Sequence, residues 1–144
     1  MKSVSDGAYR LVSAGLGVAF AVVGAVFLLA PDAVLALFDG WSRALGLATF
    51  GGPADPFFVA LAVAYMYLVT VLAWSMFRHP RDRAPAGLLI QAKLASAIVS
   101  FGLCLLRQPH LLLLANGVVD GSIAGAVLLL VHGRAPRAAV GRAA

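Results

Sequence analysis

The chain has 144 residues, of which 62% are hydrophobic and only 12% charged, whereas a soluble domain carries about 25% charged residues. This composition excludes a soluble enzyme or binding module and predicts one membrane-embedded domain with no separate catalytic domain. The net charge of +5 does not indicate nucleic-acid binding, because the basic residues are confined to the chain ends and one short loop.

Four apolar runs are long enough to cross a bilayer, so we expect an all-α, four-helix membrane bundle. The predicted spans cover residues 11–30, 57–77, 88–106 and 111–131. Helix start signals agree with two of these bounds, since Asp55-Pro56 precedes the second span and Gln108-Pro109 the fourth. The first run is longer than the core of a secretory signal peptide and is interpreted as a span.

Basic residues alternate between rich and poor flanks along the chain. The rich flanks are the N-terminal segment, the 78–87 loop and the C-terminal tail, with Lys2, Arg10, Arg78, Arg81, Arg83, Arg134, Arg137 and Arg142. The other two connections carry one arginine each, Arg43 and Arg107. Short loops on the cytoplasmic side of a membrane are enriched in lysine and arginine. We therefore predict that the chain lies in the inner membrane of the cell with both termini in the cytoplasm.

The connection between the first two spans predicts a short interfacial helix over residues 31–39. Gly40 is expected to end this helix. Its apolar stripe consists of Val34, Leu35, Leu37 and Phe38. We interpret it as a shield for the outer rim of the bundle, with a lid over a substrate site as the alternative. Asp32, Asp39 and Asp55 are interpreted as helix caps and solvated groups, with a cation site as the alternative.

The most informative residue is Asp120, about ten residues from either end of the fourth span. A carboxylate at that depth costs at least ~2.5–3.5 kcal/mol and must therefore face the bundle interior, find a partner or stay protonated. Asn116 lies one helical turn earlier, and Lys93 in the third span shares a face with Ser96 and Ser100. Lys93 is the candidate partner, although helical side chains lean toward their own N-termini, which draws the two charges apart and leaves snorkelling open to the lysine.

Two interpretations of this intramembrane polar cluster stay open. In the functional one, Asp120, Asn116 and Lys93 line a cavity that binds a proton, an ion or a small polar ligand. In the structural one, they form an interhelical clasp that sets the register of the helices. The clasp is favoured, because one carboxylate and one lysine do not make a complete relay across a bilayer.

Two further faces are candidates for packing or binding. Gly117, Gly121 and Gly125 repeat every four residues and predict close approach of another helix, from the same chain or another subunit. On the second span, the stripe that could line a quinone or lipid site consists of Tyr67, Thr70 and Trp74. Packing and interface anchoring are the alternative for these side chains.

No metal site or catalytic motif is predicted. The three histidines, His79, His110 and His132, lie at span ends, and the single cysteine, Cys104, has no partner in sequence for a redox pair. The sequence contains neither a serine nucleophile motif nor a glycine-rich phosphate loop.

The first span ends in Gly24-Ala25-Val26-Phe27-Leu28-Leu29-Ala30-Pro31 and is followed by a short outer helix and three further spans. This layout resembles, over the whole chain, small bacterial four-helix membrane proteins of the DoxX-like kind. The resemblance implies an accessory subunit, since some such proteins are subunits of quinone-linked oxidoreductases. It transfers no functional residue, because no diagnostic motif is matched.

The sequence therefore predicts a small membrane subunit or scaffold of a larger complex, without catalytic activity or a cofactor of its own. Its expected contacts are membrane lipid and, within the membrane, a protein partner or a second copy. The alternatives are a small ion- or proton-coupled transporter centred on Asp120 and a membrane subunit of a quinone-linked oxidoreductase.

Overall fold

A computed structural model describes residues 5–133, which fold into α-helices joined by short loops. In chain order the helices are α1 (Asp6–Leu29), α2 (Pro31–Ala44), α3 (Pro56–Arg78), α4 (Ala84–Leu106) and α5 (Leu111–His132). Of these, α1, α3, α4 and α5 are long and apolar enough to cross a membrane. The predicted fold class, all-α with four spans and a short helix between the first two, is confirmed.

Two spans begin earlier than hydropathy predicts, because polar side chains accept hydrogen bonds from N–H groups of their first turns. α1 starts at Asp6 instead of residue 11, since the Ser5 side chain accepts a hydrogen bond from the Ala8 N–H. α4 starts at Ala84 instead of residue 88, with Pro85 inside its first turn and the Asp82 carboxylate accepting from the Ala84 N–H. Of the residues used to predict the orientation, Lys2, Arg134, Arg137 and Arg142 lie outside the described part of the chain.

The interfacial helix was predicted too short. α2 continues through Gly40 to Ala44, because a single glycine costs a helix only about 1 kcal/mol. The helix ends where Gly46 takes a positive φ of 68°, a backbone conformation that glycine adopts readily. The Leu47 N–H then donates to the Ser42 carbonyl at 2.8 Å, which closes the last turn.

The spans pack as two pairs, α1 with α3 and α4 with α5, and α3 joins the pairs by packing on α4. Close approach of α1 to α3 depends on two buried glycines. A Cβ atom on Gly17 would lie 3.8 Å from the Ala73 Cβ, and one on Gly24 would lie 2.9 Å from the Met66 Cβ. The buried apolar cluster of the bundle comprises Tyr9, Phe20, Val69, Ala73, Met76, Ala86, Leu89 and Val127.

The end of the bundle that carries α2, here called the α2 end, is held by aspartates that accept backbone hydrogen bonds. Asp32 accepts from the Ala54 N–H, and Asp55 accepts from the Phe57 N–H at the start of α3. Asp39 accepts from the Phe50 and Gly51 N–H groups at 3.0 Å each. These bonds, that from Gly51 most strongly, hold the pKa of Asp39 below its usual value. The three carboxylates thus act as caps and loop clamps.

The loop after α2 also contacts the loop before α5. The Phe50 ring stacks on the His110 imidazole with centroids 4.3 Å apart, and the Ala48 N–H donates to the Pro109 carbonyl. The Ser42 hydroxyl accepts from the Leu111 N–H at 3.3 Å. These contacts join α2 to the start of α5, so α2 lies across the end of the bundle.

Gly24→Ala is expected to destabilise the bundle by about 1–3 kcal/mol, because Met66 Cβ is fixed to its backbone and the helices must separate. The measurement is unfolding in mixed detergent micelles, followed by tryptophan fluorescence. Gly15→Ala is the matched control on the same helix, since nothing lies within 4 Å of its added Cβ. Equal stability of the two variants would contradict close α1–α3 packing.

Candidate functional site

The centre of the bundle contains an ion pair between α4 and α5. Lys93 Nζ lies 2.8 Å from Asp120 Oδ1, and the two side chains are 1% and 3% exposed. Lys93 therefore does not snorkel to the membrane surface but turns into the bundle. The pair satisfies the general requirement that an intramembrane charge be matched.

Two aromatic rings complete the surroundings of the ammonium group. Lys93 Nζ lies 4.6 Å from the Phe20 ring centroid and 4.9 Å from the Tyr65 ring centroid, within cation–π distance. Phe20 belongs to α1 and Tyr65 to α3, so the ammonium of an α4 residue contacts α1, α3 and α5 at once. We call Lys93, Asp120, Phe20 and Tyr65 the central ion-pair site.

Lys93 lies deeper in its helix than predicted, because α4 starts earlier. Lys93 is nine residues after Ala84, about 13 Å along the helix, and Asp120 is twelve residues before His132, about 18 Å from the same end of the bundle. The long lysine side chain spans the remaining ~5 Å. The predicted span of residues 88–106 placed Lys93 only five residues from its end, which made the two depths look more different than they are.

A second polar contact joins the same two helices closer to the α2 end. Asn116 Nδ2 donates to Ser96 Oγ at 3.0 Å and to Ser100 Oγ at 2.8 Å. The Tyr65 hydroxyl donates to the Ala92 carbonyl at 3.1 Å and so links α3 to α4. The predicted cluster of Asp120, Asn116, Lys93 and the two serines is therefore brought together, as an ion pair followed by an amide–hydroxyl cluster.

One atom of the central ion-pair site has no hydrogen bond within the described residues. Asp120 Oδ2 is buried and accepts no hydrogen bond, while Oδ1 accepts from the lysine and the Tyr65 hydroxyl lies beside the carboxylate. A buried charge that lost its partner would be strongly destabilising, since its desolvation would no longer be offset. Oδ2 is the acceptor in this site that could bind a proton or a small donor.

Two of the three glycines in the α5 stripe contact another helix of the same chain. A Cβ on Gly117 would lie 2.9 Å from the Phe101 ring, and one on Gly121 would lie 3.8 Å from the Ala97 Cβ, both on α4. Nothing lies within 4 Å of a Cβ on Gly125. The first two glycines thus allow α4 to pack closely on α5. The sequence had left open whether the helix that packs on this stripe comes from the same chain or from another subunit, and for these two glycines it is α4 of the same chain.

The aromatic stripe of α3 lies largely on the outside of the bundle. Tyr67 is 71% exposed and Trp74 is 51% exposed, and the Thr70 hydroxyl donates to the Met66 carbonyl of its own helix. Tyr67 and Thr70 border a shallow groove of about 230 Å³ between α1 and α3. The stripe therefore lies largely on the outer surface of the bundle, and its role as a quinone or lipid site stays a prediction.

An apolar cavity of about 420 Å³ lies at the α2 end. Its lining includes Phe27, Leu35, Phe50, Phe58 and Leu112, and its carboxylate, Asp55, already caps α3. Such a lining suits a hydrocarbon chain better than a polar substrate. Within residues 5–133, His, Cys, Asp and Glu side chains form no group of three that could hold a metal ion.

Sequence reasoning did not identify the two rings of the central ion-pair site. Phe20 is one apolar residue within a long apolar run, so nothing in its sequence context distinguishes it from a lipid-facing residue. Tyr65 stands out as a polar-tipped aromatic, but it lies off the stripe of Tyr67, Thr70 and Trp74. Its burial beside α4 could have been predicted only from the pairing of the helices.

Comparison with protein-family models, with curated proteins and with solved structures found no match to this chain. The resemblance to DoxX-like proteins therefore stays a prediction. The four apolar helices establish a small multi-span membrane protein in contact with lipid.

Replacing one member of the ion pair is expected to cost about 3–5 kcal/mol of stability, because the other charge is left buried without a partner. The variants are Lys93→Met and Asp120→Leu, compared by detergent unfolding. The double variant Lys93→Met/Asp120→Leu should recover most of the loss, because two apolar side chains replace the two charges. Additive losses in the double variant would show that the two residues do not act as a pair.

Proposed function

We propose that the chain is a small, non-catalytic subunit or scaffold of a larger membrane complex, located in the cell inner membrane. The observation that supports this most is that the central ion-pair site contacts all four spans and is matched from within the chain. An intramembrane charge is by default a candidate for transport or catalysis. Here both charges are used to hold helices together.

The remaining polar groups support the same proposal. Asn116 donates to two serines of α4, and Tyr65 donates to the backbone of α4. A ligand entering this region would have to break these bonds and replace them with equally good ones. Interhelical hydrogen bonds of this kind stabilise helix association and set register in lipid.

A second candidate function is that of a small proton- or ion-coupled carrier, and one atom supports it. Asp120 Oδ2 is buried, has no hydrogen bond within the described residues and lies near the middle of its span. Protonation of this carboxylate would release Lys93 and loosen the contact between α4 and α5. Four spans are few for a monomeric carrier, so this function requires oligomers.

Both termini are proposed to be cytoplasmic, because Arg78, Arg81 and Arg83 flank the α3–α4 connection while Arg107 alone flanks the α4–α5 connection. In a Cys104→Ala background, Gln108→Cys should react with a membrane-impermeant thiol reagent added to intact cells. Ala84→Cys, equally exposed at the opposite end of α4, should react only after the cells are opened. The reverse pattern would contradict the proposed orientation.

The scaffold function is tested by extracting the chain in native polymer discs and measuring the mass and subunit ratio of the particle. We expect a fixed ratio to a larger membrane protein. Lys93→Met/Asp120→Leu should keep that ratio, because it preserves the packing while removing the charges. Asp120→Leu alone should lose it together with stability.

The carrier function makes the opposite prediction for the same double variant. If the chain moves protons or ions, purified protein in proteoliposomes should produce a flux that the stable double variant abolishes. A homo-oligomer without another subunit, combined with such a flux, would contradict the scaffold proposal.

A further inference from the structure

A cavity of about 460 Å³ opens at the end of the bundle where α1 begins and α3 ends. We call it the arginine pocket. It is lined by Asp6, Arg10, Arg78, His79, Pro80, Arg81 and Asp82. The cavity lies between two neighbouring spans at their membrane boundary, and the central ion-pair site does not contribute to it.

Positive charge predominates among the lining side chains. Three arginines face two aspartates, and one of those aspartates, Asp82, already accepts the Ala84 N–H at the start of α4. The arginine side chains are exposed and contribute planar guanidinium groups, which bind phosphate oxygens in a bidentate manner. Basic pockets between transmembrane helices bind the headgroups of anionic lipids.

The surface next to the pocket indicates that the phosphate belongs to a lipid. Trp74 lies one turn before Arg78 on α3, is half-exposed, and packs on Phe77 with ring centroids 5.1 Å apart. Leu11, next to Arg10 on α1, is 76% exposed. Tryptophan is typical of the headgroup level of membranes. In a bound lipid, the phosphate would thus contact the arginines and the acyl chains would contact the neighbouring apolar side chains.

We propose that the arginine pocket binds the phosphate headgroup of an anionic membrane lipid, of the phosphatidylglycerol or cardiolipin class. Arg10 comes from α1, Arg78 from the end of α3, and Arg81 from the loop that follows. One bound phosphate therefore holds the start of α1 against the end of α3. This role does not depend on whether the chain has a protein partner.

The test uses Trp74 as a local reporter in full-length protein carrying Trp41→Phe, since Trp41 is the other tryptophan and lies at the α2 end. The protein is reconstituted in phosphatidylcholine vesicles that contain equal mole fractions of brominated phosphatidylglycerol or brominated phosphatidylcholine. Bromine quenches only nearby tryptophan. We expect several-fold stronger effective quenching by the anionic lipid.

The variant Arg10→Gln/Arg78→Gln/Arg81→Gln should abolish this preference, since each basic residue near the surface contributes roughly fivefold to anionic-lipid binding. The charge-preserving triple lysine variant should keep part of it. Arg43→Gln/Arg107→Gln, at the opposite end of the bundle, is the matched control and should leave the preference unchanged. An unchanged preference in the glutamine triple variant, or none in the parent, would overturn the proposal.

Free phosphate is distinguished in a separate arm of the experiment. Inorganic phosphate at constant ionic strength should leave the quenching ratio unchanged if a lipid occupies the pocket. Loss of the preference would assign the pocket to the free ion and overturn the lipid proposal. Should the triple variant fail to fold, Arg81→Gln alone, in the loop, must still lower the ratio about fivefold.

Discussion

The pairing of Lys93 with Asp120 constrains every span of this bundle. Each charge alone would cost at least ~2.5–3.5 kcal/mol at the centre of a membrane, and at 1% and 3% exposure neither side chain reaches water. The two charges must therefore meet, which sets the rotation and depth of α4 against α5. Because the ammonium also lies on the rings of Phe20 and Tyr65, the same contact orients α1 and α3. One lysine thus relates all four spans to one another.

The rest of the packing uses two kinds of contact between helices, close contacts at small residues and bonds between polar groups. Within each helix pair, small residues bring backbones together: Gly24 against Met66 in the α1–α3 pair and Gly117 against Phe101 in the α4–α5 pair. Polar contacts act both within the α4–α5 pair, through Lys93 with Asp120, and between the pairs, through the Tyr65 hydroxyl on the Ala92 carbonyl. Helices in lipid gain no hydrophobic association energy from one another. Close van der Waals contact and buried polar bonds therefore hold the helices together.

Hydropathy predicted the four spans, because the length of an apolar run is a property of the sequence alone, and an apolar stripe predicted the short helix between the first two. Hydropathy misplaced the start of α4 by four residues, because the Asp82 carboxylate accepts from the Ala84 N–H and the helix extends beyond its apolar region. That shift made the depths of Lys93 and Asp120 look less compatible than they are. The role of Phe20 could not be predicted, because it depends on which helices are neighbours. For the same reason the sequence could not tell that Gly117 meets a ring while Gly125 meets nothing.

The distribution of polar groups bears directly on function. A transport or catalytic site keeps some polar groups unsatisfied so that a ligand can satisfy them, whereas a structural cluster uses its groups internally. Here the ammonium, the Asn116 amide and the Tyr65 hydroxyl all have partners, and within the described residues the buried side-chain atoms without a hydrogen bond are Asp120 Oδ2 and His110 Nδ1, the latter at the α2 end. The exposed charges lie instead at the ends of the spans, where Arg10 and Arg78 can meet lipid phosphates. This arrangement, with buried charges that hold helices together and exposed charges at the ends of the spans, supports the proposed role as a stable element within a membrane assembly.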